Sequence, residues 1–488
     1  MVTFFVALAL LIIGYFTYGK VVDKVFQPYK SPTPCVAHPD GVDFVPMSTP
    51  RAYLVELLNI AGLGPIFGAI AGALWGPAVF LWIVFGSIFA GGVHDYSSGL
   101  MSMRNDGSSI SEVTGKYLGK VMLQIMRVFS VILLVLIGAT FTSGPAGLLA
   151  MITPHALNKN FWLVVLLIYY FLATLFPIDK IIGKLYPIFG VLLIVMCLGI
   201  GGGTLIERGG NIPEMTLANL HPNGTPIWSM MFITVACGAC SGFHSTQAPL
   251  VARCISDERN ARKIFYGAMI SEGIIALIWA SAAMAYFPNG IQGLYEEGLK
   301  IKNNNSQMVY IIGKGLLGSV GVVLTVLGVG ICPITSADTA FRSARLTISD
   351  WFKIDQTSVK KRLAITIPLL AAGAILTQLD FSVVWRYFSW SNQTLAMIVL
   401  WTASAYLCIW KKGTAISLMA AIPATFMSAV TCTYIFMADE GFHLSTSIAY
   451  PIGIIFAVVC AAIYVVKGLI PSLKKDSVKP APTATANG

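Results

Sequence analysis

Charged residues are scarce in this chain. Of its 488 residues only 11% are Asp, Glu, Lys or Arg, whereas 56% are hydrophobic and the mean hydropathy is +0.75. A soluble domain carries about 25% charged residues, because its surface must be covered with polar groups. The composition therefore excludes a soluble enzyme, a disordered chain and a collagen-like protein, and it indicates an all-α polytopic membrane protein.

Regular cysteine spacing and complete metal-binding motifs are also missing. The nine cysteines follow no pattern and at least five lie in apolar runs, where a thiol behaves as a small hydrophobe, so no disulfide framework is expected. Cys237, Cys240 and His244 resemble half of a zinc site, but the sequence holds no second half. Neither an HExxH motif nor a protease-like aspartate pair is found. We therefore expect no metal, no cofactor and no enzymatic activity.

Apolar runs of membrane-spanning length recur along the sequence. The first of them lacks the basic segment and the cleavage site of a signal peptide, and is expected to be a retained span. Thirteen helices are predicted, at 3–22, 52–75, 76–101, 121–150, 161–177, 184–206, 226–250, 262–287, 308–335, 362–379, 383–408, 413–437 and 445–467.

The net charge of +10 does not indicate nucleic-acid binding, because Lys and Arg lie in short clusters between the apolar runs. When the N-terminus is placed outside, 25 of the 32 basic residues fall in inward-facing stretches and 5 in outward-facing ones. Cytoplasmic loops are enriched in Lys and Arg. The charges therefore favour thirteen spans with a cytoplasmic C-terminus.

Two predicted helices, the second and the seventh, are interrupted in mid-membrane. Glycine permits non-helical backbone, and proline leaves a carbonyl without its N–H partner. The alternative is close packing of small residues, which is the interpretation preferred for Gly68 and Gly72. The interruptions contain Asn59, Gly62, Gly64 and Pro65 in the second helix, and Gly238, Ser241, Gly242, Phe243, His244 and Gln247 in the seventh.

The two interrupted helices lie five spans apart, so they cross the membrane in opposite directions. Five helices from residue 52 and five from residue 226 then form an inverted repeat, which is typical of secondary transporters with a substrate site at paired broken helices. Half-helix N-termini attract anions, and freed carbonyls bind cations. The interruption residues are therefore the predicted substrate-binding set, with His244 and Gln247 as polar contacts.

Several long and rare strings lie at 41–47, 58–68, 72–77, 89–96, 115–119 and 237–247. They resemble the carbon starvation protein A (CstA) family of bacterial inner-membrane transporters. The resemblance implies proton-coupled uptake of pyruvate or small peptides during carbon starvation. It also implies the amino acid–polyamine–organocation superfamily, with a LeuT-like five-plus-five inverted repeat.

The resemblance and the charge pattern together predict partners and a domain organisation. The expected partners are a small-molecule substrate and membrane lipid, with homo-oligomer formation left open. A non-transporting sensor of the same ligands, and Na⁺-coupled uptake of another small carboxylate or amino acid, remain alternatives. The regions are an extra N-terminal helix and loop (1–51), two repeats (52–206 and 207–408), two peripheral helices (409–467) and a disordered cytoplasmic tail (468–488).

Ionisable residues within membrane spans mark functional sites by default. His94 and Asp95 point about 100° apart on a helix, so each is expected to contact another span rather than the other. They form either a structural clamp or part of a proton relay. Glu56 and Glu272 are placed near cytoplasmic helix ends, where they are expected to be solvated or paired with basic loops.

Two further sets of polar residues are candidates for coupling and gating. Asp338 follows Thr335 and Ser336 at the inner end of the ninth span, and the resemblance makes the three candidates for holding Na⁺ or a proton. Alternatively, Asp338 caps the amphipathic stretch after it. Arg386 lies towards the outer face, where it forms an outer gate, steers an anionic substrate, or extends to the lipid interface among aromatic residues.

Overall fold

The computed structural model describes residues 1–474 except 42, 176–177, 303 and 357, and this part of the chain is helical. Proline or glycine lies at several helix ends, for example at the Gly76 turn, where φ is +76°. The helices are α1 (Val2–Phe26), α2 (Thr49–Ile60), α3 (Gly64–Trp75), α4 (Ala78–Met103), α5 (Ile110–Leu118), α6 (Lys120–Ile152), α7 (Lys159–Ala173), α8 (Ile178–Arg208), α9 (227–234), α10 (Gly242–Ala252), α11 (Glu258–Tyr286), α12 (Gly290–Lys300), α13 (Asn305–Phe352), α14 (Val359–Leu376), α15 (Phe381–Trp410), α16 (Leu418–Met437) and α17 (Thr446–Leu473).

Among the described residues, fewer than the predicted thirteen helices are long and apolar enough to span a membrane. In the described part of the chain, nine helices are long and apolar enough to cross a membrane, or ten if α2 and α3 form one bent span. The remaining predicted spans correspond to α7, to the α9–α10 pair and to α14, which are shorter or less apolar. The chain is thus a multi-pass membrane protein, and the count of thirteen and the inverted repeat stay predictions.

Both predicted helix interruptions are present. α2 ends at Ile60 and α3 begins at Gly64, with a bend of 47° between them. In the second interruption, α9 ends at Thr234 and α10 begins at Gly242. The local chemistry of glycine and proline, which lowers the cost of leaving the helix, explains why these positions could be found from sequence.

Residues that were predicted to share a side of the membrane do lie together. At one end, the amino group of Met1 is 2.6 Å from Glu214 Oε1, and the Trp75 indole N–H donates to Thr225 O over 2.9 Å. The hydrogen bonds from the amino terminus and from Thr3 lower the pKa of Glu214 to about 2. This end carries the segments predicted to lie outside, so the alternation of the chain is consistent with the charge pattern.

The C-terminal part of the chain corrects one prediction. α16 and α17 pack against each other, and α16 packs on α15. Residues 468–473 continue α17, so the expectation of a disordered tail from residue 468 is wrong for this part. Residues 475–488 of the predicted tail lie outside the described residues.

Six helices meet at the centre of the molecule. α10 packs on α4, on α2 and on α15, while α11 packs on α2 and α3. Since α2 and α10 end or begin at the interruptions, the polar residues of both breaks are brought to one place. The candidate functional site is built there.

Candidate functional site

The two broken helices contact each other through small residues. A Cβ atom at Gly64 would lie 2.2 Å from Cys237 Cβ, and one at Gly72 would lie 2.3 Å from a methyl of Val235. A Cβ at Gly68 would lie 2.9 Å from Thr234 O. All three glycines of α3 therefore face the second interruption, which confirms the packing role predicted for Gly68 and Gly72 and extends it to Gly64.

Asn392 of α15 holds the second interruption in place. Its Nδ2 donates to Ser241 Oγ over 3.0 Å, and its Oδ1 accepts from the backbone N–H of Phe243 over 2.7 Å. Gly242 lies against the same helix, because a Cβ there would be 2.3 Å from Asn392 O. Asn392 was not predicted as a site residue. Its signal in the sequence is an adjacent amide pair, Asn392 and Gln393, in a largely apolar and aromatic helix.

The first interruption is held from α13. Ser336 Oγ donates to Leu58 O over 3.0 Å, next to the point where α2 ends. Thr339 Oγ1 lies 3.5 Å from Asn59 Oδ1. Ser336 and Asn59 thus occupy positions beside the break, as the predicted cation and substrate roles require.

The other two residues of the predicted coupling set have different surroundings. Thr335 donates to Cys332 O of its own helix over 2.5 Å. Asp338 is 4% exposed and interacts electrostatically with Tyr169 and Tyr170 of α7. Residues i and i+2 of a helix point about 200° apart, so Ser336 and Asp338 face opposite sides of α13. The structure brings Ser336, but not Asp338, to the break.

A buried row of ionisable side chains lies beneath the second interruption. His94 Nδ1 is 2.7 Å from Asp95 Oδ1, and His244 Nδ1 is 2.8 Å from Asp95 Oδ2. All three side chains are fully buried. The prediction that His94 and Asp95 do not pair is wrong, because the rotamers of these two residues bring their side chains into contact. The expected contact of Asp95 with another span is present.

Two glutamates complete this row, which we call the ionisable cluster: Glu56, His94, Asp95, His244 and Glu272. Glu272 Oε2 of α11 is 3.3 Å from His244 Nε2 on the side opposite Asp95. Glu56 of α2 is fully buried and interacts electrostatically with Asp95 and His244. The expectation that Glu56 and Glu272 are solvated or paired with basic loops is wrong, because both side chains lie in the protein interior.

The carboxylates of Glu56 and Glu272 lack hydrogen-bond partners among the described residues, as does His94 Nε2. Burying a charged group without such partners is costly. A proton or a ligand that binds either carboxylate would therefore lower the cost of its burial. Within the described chain no set of three or more His, Cys, Asp or Glu side chains has metal-binding geometry.

The remaining predicted substrate contacts lie deep in the packed interior. Gln247 Nε2 donates to Ser343 Oγ over 3.3 Å, and its Oε1 has no partner in the described part of the chain. The Phe243 ring contacts Phe141, and a Cβ at Gly238 would lie 2.6 Å from Ala276 Cβ. Gly62 also approaches Phe141, and Pro65 is the second residue of α3. These residues surround the breaks but are closed to solvent.

A large cavity opens at the end of the molecule predicted to lie outside. Its volume is about 450 Å³, and Arg386, Glu440 and Trp385 form part of its wall. Arg386 Nε donates to Glu440 Oε2 over 3.1 Å. The cavity floor reaches α3 at Ile70 and Ala71 and the second broken helix at Thr234.

The opposite end of the molecule is tightly packed. Beneath the first break, a cavity lined by Asn59 and Thr339 measures only about 10 Å³. Arg104 joins several segments there: it pairs with Glu258, donates to Phe26 O over 3.0 Å, and packs on the Trp410 ring. The large cavity therefore approaches both breaks from the end predicted to lie outside, whereas the cavity beneath the first break is too small for a substrate.

Comparison with known proteins gives a family and named relatives. The profile of the family described as "Carbon starvation protein CstA" matches residues 1–157 and 146–312. An uncharacterized membrane protein of Haemophilus influenzae is 40% identical over 342 residues, which cover 59% of this chain and 92% of the relative. In Escherichia coli, the peptide transporter CstA is 24% identical (78% of this chain, 61% of the relative), and the pyruvate/proton symporter BtsT is 25% identical (54% and 45%).

A solved structure shares the fold. The crystal structure of the Eremococcus coleocola manganese transporter mutant H236A matches with a TM-score of 0.54 and 12% sequence identity, and the match covers 89% of this chain and 99% of that one. At this identity the likeness concerns the fold alone. The arrangement of helices is therefore that of a known membrane transporter.

Proposed function

The chain belongs to the carbon starvation protein CstA family, and on that premise we propose that it is a secondary active transporter. It imports pyruvate or small peptides across the bacterial inner membrane during carbon starvation, driven by protons. Relatives named as a peptide transporter and as a pyruvate/proton symporter support both substrate classes.

The observation that carries this proposal is the one-sided access to the two breaks. The outer cavity of about 450 Å³ ends on α3 and on Thr234, while the inner side is closed around Arg104. Transport by alternating access requires a site that opens to one side at a time.

The substrate enters through the outer cavity in this proposal, and its carboxylate reaches the breaks in a later step. In the present conformation Gly64 rests on Cys237, and the N–H of Phe243 is occupied by Asn392. The half-helix N-termini of α3 and α10 attract the anion. Binding therefore requires the Gly64–Cys237 contact to separate, which links occupancy of the site to movement of the broken helices.

Uptake into proteoliposomes tests the proposal. Labelled pyruvate and labelled dialanine are each supplied with an inward pH gradient, with an inward Na⁺ gradient, or with neither. We expect at least one of them to accumulate above the external concentration only when the pH gradient is present. Saturable binding without accumulation would favour the sensor, and accumulation driven by Na⁺ alone would favour the sodium-coupled alternative.

A further inference from the structure

The ionisable cluster contains two glutamates, Glu56 and Glu272, for which the sequence predicted no functional role. We propose that Glu272, His244 and Asp95 form the site that takes up the driving proton, with Glu56 as an adjoining acid. This inference rests on the proposed transport function. It assigns the proton to α4, α10 and α11, and not to the predicted Asp338.

The geometry alternates acids and bases along one line. His244 lies between two carboxylates, with Asp95 Oδ2 2.8 Å from Nδ1 and Glu272 Oε2 3.3 Å from Nε2. As an imidazolium, His244 donates through Nδ1 to Asp95, while its Nε2 lies within ion-pair distance of Glu272 without forming a hydrogen bond. Such a row passes a proton from one group to the next without a large movement of side chains.

The chemistry of the cluster favours a proton over a metal ion. Hard cations prefer oxygen ligands, whereas an imidazole separates the two nearest carboxylates in this cluster. The described residues also lack a metal-binding set of three or more side chains. A proton needs only one basic atom with a free lone pair, and both oxygens of Glu272 and of Glu56 have no hydrogen-bond partner in the described chain.

The charge of the cluster is balanced by one added proton. The titratable groups that face it are Glu56, His94, Asp95, His244 and Glu272, with the thiols of Cys237 and Cys240 beside them. With His244 as imidazolium, Asp95 and Glu272 ionised, and Glu56 and His94 neutral, the net charge is −1. A proton from water that binds a Glu272 oxygen brings the charge to zero, which lowers the cost of burial.

Protonation changes the force between the helices. Ionised Glu272 attracts the His244 imidazolium and ties α10 to α11; protonated Glu272 is neutral and releases that attraction. His244 is the third residue of α10, directly below the second break. The proton therefore acts on the half-helix that must move for the substrate to pass. On the cytoplasmic side the same proton returns to water.

Two transport assays on reconstituted Glu272→Gln protein separate this inference from the proposed function. The first is accumulation of labelled pyruvate and dialanine under a pH gradient; the second is counterflow of the same solutes without any gradient. We expect Glu272→Gln to lose gradient-driven accumulation while its counterflow stays within about twofold of the wild-type rate. Glu296→Gln, the same change at an exposed position of α12, should behave as wild type in both assays.

Other results would contradict either the proposed proton site or the proposed transport function. Normal accumulation by Glu272→Gln would show that the proton binds elsewhere. If Glu272→Gln loses counterflow as well, Glu272→Asp decides: restored counterflow with a shifted pH profile supports the site, whereas an inactive protein or a wild-type pH profile contradicts it. Absence of counterflow in the wild-type protein for both solutes would instead contradict the proposed function.

Discussion

Gly242→Ala is expected to destabilise the protein strongly and to abolish transport. A Cβ atom at this position would lie 2.3 Å from Asn392 O and 2.6 Å from Ala396 N, both of which are backbone atoms of α15. Backbone cannot move aside as a flexible side chain can, so the start of α10 must shift. Overpacking of this kind costs about 1–3 kcal/mol or more. The measurement is thermal unfolding in detergent, together with counterflow.

Gly202→Ala is the matched control, because no neighbouring atom lies within 4 Å of its Cβ position. Gly202 lies inside α8, where alanine is favoured over glycine by about 1 kcal/mol. We therefore expect the thermal unfolding midpoint of Gly202→Ala to equal or exceed that of the wild-type protein. Equal midpoints for the two variants would mean that α10 does not approach α15 as closely as described.

Asn392→Ala is expected to reduce transport by at least about tenfold and to lower stability by about 1–3 kcal/mol. The substitution leaves the backbone N–H of Phe243 without its acceptor and removes the donor to Ser241. Both groups are buried, so water cannot replace the lost partner without entering the core. Initial uptake rates and unfolding midpoints measured on the same preparation test both effects.

Asn289→Ala removes an amide from an exposed position without a side-chain capping bond and serves as the comparison. Asn289→Ala should leave the initial uptake rate and the unfolding midpoint within experimental error of the wild-type values. Wild-type transport by Asn392→Ala would show that the second interruption holds its shape without this amide, and that α15 does not position the site.

The helix interruptions were predictable because their cause is local. Gly62, Gly64 and Pro65, and the glycines from Gly238 to Gly242, disfavour continuous helix whatever surrounds them. The family resemblance was confirmed, since the family profile matches residues 1–157 and 146–312, which include all six strings. The polar character of the site was therefore visible in the sequence.

Which side chains contact one another within the site could not be predicted from the local sequence. Glu272 lies fourteen residues after α11 begins at Glu258, or about 21 Å along the helix, so it is far from the helix end where it was expected. Glu56 is buried because α2 is a half-helix that ends at Ile60, in the interior. Asn392 acts on a segment 149 residues away. Such contacts depend on how whole helices pack.

Simultaneous recording of lumenal pH and solute uptake in proteoliposomes measures whether protons and solute enter together. A pH-sensitive dye is trapped inside vesicles of equal internal and external pH, and pyruvate or dialanine is added outside. We expect that the transported solute acidifies the lumen, and that Glu272→Gln abolishes the acidification. Uptake of either solute without a change in lumenal pH in the wild-type protein would contradict proton-driven import.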